Sequence, residues 1–159
     1  MRSAIRAQRS DSRLPLILDE AARLFREKGY HATSSRDIAA AVGMLPGSLY
    51  CHFASKEDLL VAVYEEGVRR IGEAVKAAIG GKSDPWRRLE AACVAHLDVL
   101  LNSSDYAQVV VRVRPSDVPK VAERLIGLRD GYERLFSDLI APLRLPPGTD
   151  RHYLRLMLL

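Results

Sequence analysis

Cysteine is scarce in this chain of 159 residues, which contains only Cys51 and Cys93. The two lie on separate predicted helices and form no Cys-x-x-Cys pair, so a disulfide framework is excluded and both are expected to be ordinary thiols in a reducing cytosol. The sequence also lacks an apolar run of membrane-spanning length, and its N-terminus lacks the uninterrupted apolar stretch of a signal peptide. It therefore predicts a soluble, cytoplasmic protein with no membrane partner.

Motifs of catalytic and metal sites are missing as well. The sequence has no glycine-rich phosphate loop, no paired Glu-x-x-His motifs and no nucleophile elbow, and its four histidines are scattered. Cys93 and His96 lie three residues apart on one predicted helix face, but structural zinc needs four ligands and no second His/Cys cluster supplies them. We expect no enzyme activity, no catalytic residue, no metal and no cofactor.

Apolar residues recur instead with the spacing of amphipathic helices. Leu14, Leu18, Ala21 and Phe25 form one such stripe, and Gly29 is expected to end that helix in a left-handed conformation. No segment shows convincing strand alternation. The sequence therefore predicts an all-α fold.

Two short helices joined by a glycine turn follow the first helix. Ser34 and Asp37 have the spacing of an N-terminal capping pair, and Gly43 is expected to break the helix that they begin. Pro46 suits the first position of the next helix, because its missing N–H would be unpaired there. This arrangement is typical of a protein that offers a short helix to the major groove of DNA.

The outward face of the third helix carries groups that suit a DNA contact. Leu49 and Phe53, four residues apart, are expected to pin the opposite face to the core. Serine and tyrosine hydroxyls commonly contact phosphate, an arginine can fork onto a guanine edge, and a lysine at a helix start adds a cation near phosphate-binding N–H groups. The predicted DNA-binding residues are Ser35, Arg36, Pro46, Gly47, Ser48, Tyr50, His52 and Lys56.

Positive charge is concentrated at the N-terminus. The formal net charge is +4 and the sequence pI about 9.3, and the first thirteen residues carry Arg2, Arg6, Arg9 and Arg13 against the single acid Asp11. Such a basic arm suits a polyanion, by phosphate contact or by lying in a minor groove. A solvated tail is the alternative that the same residues allow.

The first sixty residues resemble the DNA-binding domain of TetR/AcrR-type transcriptional regulators. The resemblance is carried by Phe25, Gly29-Tyr30, Thr33, Arg36-Asp37-Ile38-Ala39, Gly43, Gly47-Ser48-Leu49-Tyr50, His52-Phe53 and Ser55-Lys56-Glu57-Asp58-Leu59. It implies a homodimer that binds a palindromic operator in double-stranded DNA, with one recognition helix per subunit in the major groove. It also implies that the predicted residues other than Pro46 face the DNA.

Two positions depart from that family pattern. Many members have a small hydroxyl residue where this chain has Leu45, and often a lysine where it has Pro46. Leu45 cannot cap the recognition helix through a side-chain oxygen. The sequence therefore does not predict which bases the protein contacts.

The second half resembles the family only in architecture. The resemblance implies a DNA-binding domain over residues 1–58 and a helical ligand-binding and dimerisation domain over residues 59–159, in which a small-molecule effector moves the fourth helix and releases the operator. Acidic residues are sparse at the predicted interior positions, so an apolar or anionic ligand is expected, such as an acyl chain or its coenzyme A thioester. The candidate ligand-binding residues are Trp86, Cys93, His96, Tyr106, Arg112 and Phe136.

The final predicted helix, from Asp150 to Leu159, ends in a run of apolar residues. Because an apolar face normally packs on something, we expect the C-terminal helices to be incomplete and dimerisation to be weakened. The sequence thus predicts a ligand-responsive transcriptional regulator, most simply a repressor. A non-specific or architectural DNA binder that uses the arginine arm, and a purely structural dimerisation module, are the alternatives.

Overall fold

The computed structural model describes residues 2–102 and 104–159, and it describes side chains from residue 13 onward. It contains helices α1 (Arg2–Lys28), α2 (Ser35–Ala41), α3 (Pro46–Leu49), α4 (Lys56–Ile79), α5 (Pro85–Leu101), α6 (Asp105–Arg112), α7 (Ala122–Ile140) and α8 (Arg151–Leu158). Two short 3-10 turns, Pro115–Asp117 and Pro119–Val121, connect α6 to α7. Since these two ranges contain no strand, the predicted all-α fold is confirmed.

The helix ends follow the local chemistry of the sequence. Ser34 caps α2 through a capping box, in which its hydroxyl accepts from the Asp37 N–H and the Asp37 carboxylate accepts from the Ser34 N–H. Ser55 caps α4 with its hydroxyl, which accepts from the backbone N–H of Asp58. Gly29 and Gly43 have φ values of 85° and 63°, a region that glycine enters without steric cost, so both predicted helix stops are confirmed.

Helix α3 is very short. Regular helix covers only the four residues from Pro46 to Leu49. Leu45 precedes it without a side-chain cap. Single hydrogen bonds nevertheless continue the turn, because the His52 and Phe53 N–H groups both donate to the Leu49 carbonyl, at 3.0 and 3.1 Å. This segment is therefore a helical turn that is held by its neighbours.

Two hydrophobic clusters form the core, and α4 contributes to both. The larger cluster joins α1, α2, α3 and the first half of α4 to α6 and the start of α7, with Ile17, Ile38, Tyr64 and Leu125 fully buried. The smaller cluster joins the end of α4 to α5, α7 and α8. The larger cluster therefore crosses the residue 58 boundary that the sequence suggested.

Gly67 allows α4 and α6 to approach closely. A Cβ atom at this position would lie 2.7 Å from Cγ2 of Val110 and 2.8 Å from the backbone oxygen of Tyr106. Both distances are well below van der Waals contact, and the second involves α6 backbone, which cannot rotate away. The absence of a side chain at Gly67 thus sets the spacing between the two helices.

The basic arm lies largely outside the described side chains. The backbone of α1 begins at Arg2, but the side chains of Arg2, Arg6 and Arg9 are not among those described, and Arg13 is exposed. Among the described residues, no helix combines the length and apolar character needed to cross a membrane.

We expect Gly67→Ala and Gly127→Ala to change stability in opposite directions. The Gly67 change forces a methyl group into α6 and should lower the free energy of unfolding by about 1–3 kcal/mol. A methyl group on Gly127 of α7 would meet no atom within 4 Å, so alanine there should raise stability by about 0.5–1 kcal/mol through helix propensity. Urea unfolding followed by circular dichroism measures both, and equal stability of the two variants would contradict the close approach.

Candidate nucleic-acid interface and ligand cleft

Helix α3 is held against the core by one face only. Leu49 is 3% exposed, and Phe53 packs at the edge of the larger cluster. The turn before α3 is fixed by a 2.8 Å hydrogen bond from the Met44 N–H to the Ala39 carbonyl. These contacts orient a helix that is too short to be stable alone.

The opposite face of the helix-turn-helix is accessible. Tyr50 is 55% exposed and lies one residue beyond α3. A Cβ atom on Gly47 would meet nothing within 4 Å, so the protein itself leaves the space above this residue open. Of the predicted DNA-binding residues, the exposed ones are Arg36, Pro46, Gly47 and Tyr50, and the partly exposed ones are Ser35, Ser48, His52 and Lys56.

Lys56 has an internal role that the sequence did not indicate. Its ammonium donates to the backbone carbonyls of Tyr30 and Thr33, both at 3.0 Å, and lies 4.2 Å from the centre of the Tyr30 ring. Burial, together with the nearby Glu57 carboxylate, raises the pKa of Tyr30 to about 12, so the ring stays neutral beneath the cation. Two of the three ammonium donors therefore join α4 to the α1–α2 turn, leaving one for any other partner.

Thr33 completes this anchor and was noted in the sequence only as part of a motif. It is 1% exposed, and its hydroxyl is 3.2 Å from the Leu24 carbonyl and 2.8 Å from the Gly29 carbonyl. The Leu24 carbonyl belongs to α1 and the Gly29 carbonyl lies just beyond its end, so these contacts join Thr33 to the C-terminal end of α1. A buried threonine that follows a helix-ending glycine by four residues is the signal that could have identified it.

A cleft of about 210 Å³ opens between α4, α5, α6, α7 and the chain end. Its walls are mainly apolar, and its polar side chains come from α5 and α7. The lining residues are Val68, Ile71, His96, Leu100, Val110, Val111, Arg129, Tyr132, Glu133 and Leu159.

His96 is the one candidate ligand-binding residue from the sequence that lines this cleft. Trp86 is 51% exposed on α5, outside the cleft lining. Phe136 is fully buried in the smaller core cluster, and Cys93 packs against the same cluster. Burial raises the pKa of the Cys93 thiol, which keeps it protonated. No group of three or more possible metal ligands occurs among the described residues.

His96 is held by Tyr132 at the base of the cleft. The His96 Nδ1 atom lies 2.6 Å from the Tyr132 hydroxyl, and the two rings stack with centroids 5.7 Å apart. Burial lowers the pKa of His96 and raises that of Tyr132. Both rings are therefore neutral near pH 7, and the pair forms an uncharged, hydrogen-bonded surface.

Tyr106 and Arg112, the remaining candidates, face α1 rather than the cleft. The Tyr106 hydroxyl donates to the Asp19 carboxylate at 2.8 Å, and the Arg112 guanidinium donates to the Arg26 carbonyl at 3.2 Å. Arg26 also pairs with Asp105 at 2.8 Å. These three contacts fasten both ends of α6 to α1. Tyr106 and Arg112 thus connect the two halves of the chain, a long-range pairing that helical spacing does not indicate.

Comparison with known proteins points to one family. Residues 17–63 match the family described as bacterial regulatory proteins, tetR family. The repressor KstR2 of Mycobacterium tuberculosis is 34% identical over 101 residues, which are 64% of this chain and 50% of KstR2. The activator FasR of Mycolicibacterium smegmatis is 28% identical over 147 residues, 92% of this chain and 66% of FasR.

A solved structure extends the match to most of the fold. The structure of AibR in complex with isovaleryl coenzyme A and operator DNA superposes with a TM-score of 0.75 at 25% identity, covering 92% of this chain and 81% of AibR. The chain spans between half and two thirds of the lengths of KstR2 and FasR.

We expect Lys56→Gln to destabilise the fold more than Lys120→Gln. The first change removes two hydrogen bonds from a charged donor and should lower the free energy of unfolding by about 1.5–3 kcal/mol. Lys120 forms only an exposed ion pair with Glu57 at 3.0 Å, which contributes about 0–1 kcal/mol. Urea unfolding compares the two variants. Equal free energies of unfolding would show that the Lys56 contacts stabilise the fold no more than the Lys120 ion pair does.

Proposed function

Because the chain belongs to the TetR family of bacterial regulatory proteins, we propose that it is a ligand-responsive transcriptional regulator. In this proposal the helix-turn-helix binds an operator, and a small molecule in the cleft between α4, α5, α6 and α7 releases it. The observation that carries the proposal is the accessible face of α3, which is pinned to the core by Leu49 on one side and open above Gly47 on the other.

The proposed DNA surface consists of α3, the start of α2 and the start of α4. Arg36 is exposed on α2 and can reach a guanine edge, while Ser48 and Tyr50 offer hydroxyls to phosphate. Gly47 allows the backbone to approach the duplex. The margins of the proposed DNA surface are formed by Ser35, Pro46 and His52. For Lys56 we propose a positioning role first, since its ammonium already binds two carbonyls.

The proposed assembly is a homodimer on a palindromic operator. Half-sites about one helical turn apart, about 34–36 Å, require two recognition helices at a matching distance. KstR2 is named a repressor and FasR an activator. We propose repression as the simpler mode, in which operator occupancy alone excludes polymerase.

The proposed effector is a small apolar molecule of the acyl-thioester kind. Apolar side chains from α4, α5 and α6 line the cleft. The related AibR structure holds isovaleryl coenzyme A, which supports an acyl thioester as the class to try first. The cleft of about 210 Å³ would receive the acyl part, with the nucleotide part outside.

Selection of bound fragments from the source genome tests the DNA half of the proposal. Purified protein at roughly 0.15 M salt, near physiological ionic strength, should enrich a short inverted repeat. Binding without an enriched motif, and with steep salt dependence, would favour the non-specific architectural alternative. Absence of any binding would rule out operator recognition by this chain and favour the structural module.

Effector release is tested on the enriched operator. We expect isovaleryl or octanoyl coenzyme A to lower operator occupancy in a fluorescence-anisotropy titration, while free coenzyme A at the same concentration serves as the matched control. Unchanged occupancy with every acyl thioester tried would contradict this effector class without affecting operator recognition.

Tyr50→Ala should weaken operator binding with little loss of stability. Tyr50 is 55% exposed and its side chain contributes to no core cluster, so truncation removes a DNA contact rather than packing. We expect about a tenfold loss of affinity, since one good contact contributes on the order of 1–3 kcal/mol. Tyr153→Ala, at a residue 66% exposed on α8, is the matched control. Unchanged affinity would remove Tyr50 from the contact surface.

A further inference from the structure

Four polar side chains line the cleft, and three of them are already paired. His96 and Tyr132 are 2.6 Å apart and satisfy each other. The Glu133 carboxylate pairs with Arg155 of α8 at 3.2 Å, which neutralises its charge. The fourth is Arg129 on α7, one helical turn before Glu133.

Arg129 differs from the other three because it is exposed and has no carboxylate partner among the described residues. Among the described residues, no carboxylate lies within 4.0 Å of its guanidinium. The side chain near it is Tyr64 of α4, which is fully buried and lies outside the cleft lining. Burial raises the pKa of the Tyr64 phenol and the nearby Arg129 cation partly opposes this effect, so the hydroxyl remains protonated.

The chemistry of Arg129 selects the ligand's head group. A guanidinium offers up to five N–H donors in a planar fork and accepts nothing, so its complement is an oxygen acceptor, above all a carboxylate. An amine at the same place would meet an unpaired cation. The apolar walls around Val68, Ile71 and Val110 accept a hydrocarbon chain.

We propose that Arg129 is the specificity-determining residue of the cleft, and that the ligand is an apolar molecule whose head carries an acyl oxygen. A free carboxylate and a thioester carbonyl both supply that oxygen. The inference rests on the ligand-binding role proposed above for the cleft. It adds the residue that binds the ligand's head group and the chemical class of that head group.

Isothermal titration of the full chain with head-group analogues tests the proposal. The probes are octanoate, octanoyl coenzyme A, 1-octanol and octylamine, which share one chain and differ in the head. We expect an acyl probe to bind at least about tenfold more tightly than 1-octanol, since a charge-assisted hydrogen bond contributes about that factor. Octylamine should bind most weakly. If octanoyl coenzyme A alone binds, the thioester is the source of the oxygen, and binding by octanoate identifies the free acid.

Variants assign the preference to Arg129. Arg129→Gln should lower the affinity for the acyl probe at least about tenfold and leave that for 1-octanol unchanged. Arg129→Lys keeps the charge without the fork and should lose part of the affinity. Arg134→Gln is the matched control, because Arg134 lies on the same helix, is exposed and bonds only the Asp130 carbonyl. Circular dichroism confirms that each variant is folded.

Three results would overturn the proposal: equal binding of 1-octanol or octylamine, no effect of Arg129→Gln, or no binding of either acyl probe. These failures are distinct from failure of the proposed function. If acyl probes bind in an Arg129-dependent way but leave operator occupancy unchanged, the ligand class holds and the release mechanism fails. If a compound without an acyl oxygen releases the operator and acyl probes do not bind, the release mechanism holds and the proposed ligand class fails.

Discussion

Helix α4 is one uninterrupted rod of 24 residues that contributes buried side chains to both hydrophobic clusters, and the rest of the structure depends on this continuity. At a rise of 1.5 Å per residue the rod is about 36 Å long. Leu59 and Tyr64, near its start, are buried with the helix-turn-helix, whereas Val75, near its end, is buried with α5 and α7. Close-packed interiors do not deform smoothly, so a displacement at one end of such a rod is carried to the other.

Helix α6 forms a second connection between the cleft and the helix-turn-helix. Val110 lines the cleft, while Tyr106, one turn earlier, bonds Asp19 of α1. Gly67 fixes the distance from α6 to α4, so the two helices move past one another only if the backbone contact there is broken. A ligand that pushed on Val110 would therefore act on α1 and α4 together. This arrangement explains why Tyr106, chosen from the sequence as a ligand contact, is a junction between the two halves.

The sequence predicted the features that depend on neighbouring residues and missed those that depend on distant ones. The cap at Ser34 and the stop at Gly29 follow from hydrogen bonds and backbone angles within a few positions, which a sequence pattern displays directly. Lys56 bonds a carbonyl 26 residues earlier, and only the folded turn brings the two together. The cleft is similar: its lining combines residues of α4, α5, α6 and α7, which meet only in the folded chain, and no spacing of residues along α7 indicates that.

Operator release demands little motion if α4 behaves as a rod. A tilt of about 5° would move the end of a helix about 36 Å long by about 3 Å. In a two-fold dimer the effect doubles to about 6 Å, a large error against half-sites about 34–36 Å apart.

The energetic requirement is stricter than the geometric one, because a ligand shifts an equilibrium only by its difference in affinity between the two states. Reversing occupancy from 99:1 to 1:99 requires about a 10⁴-fold preference. An apolar chain that only fills the cleft would bind both tilts with similar affinity, whereas an acyl oxygen bound by Arg129 would add a contact with α7 that changes if α4 tilts against α7.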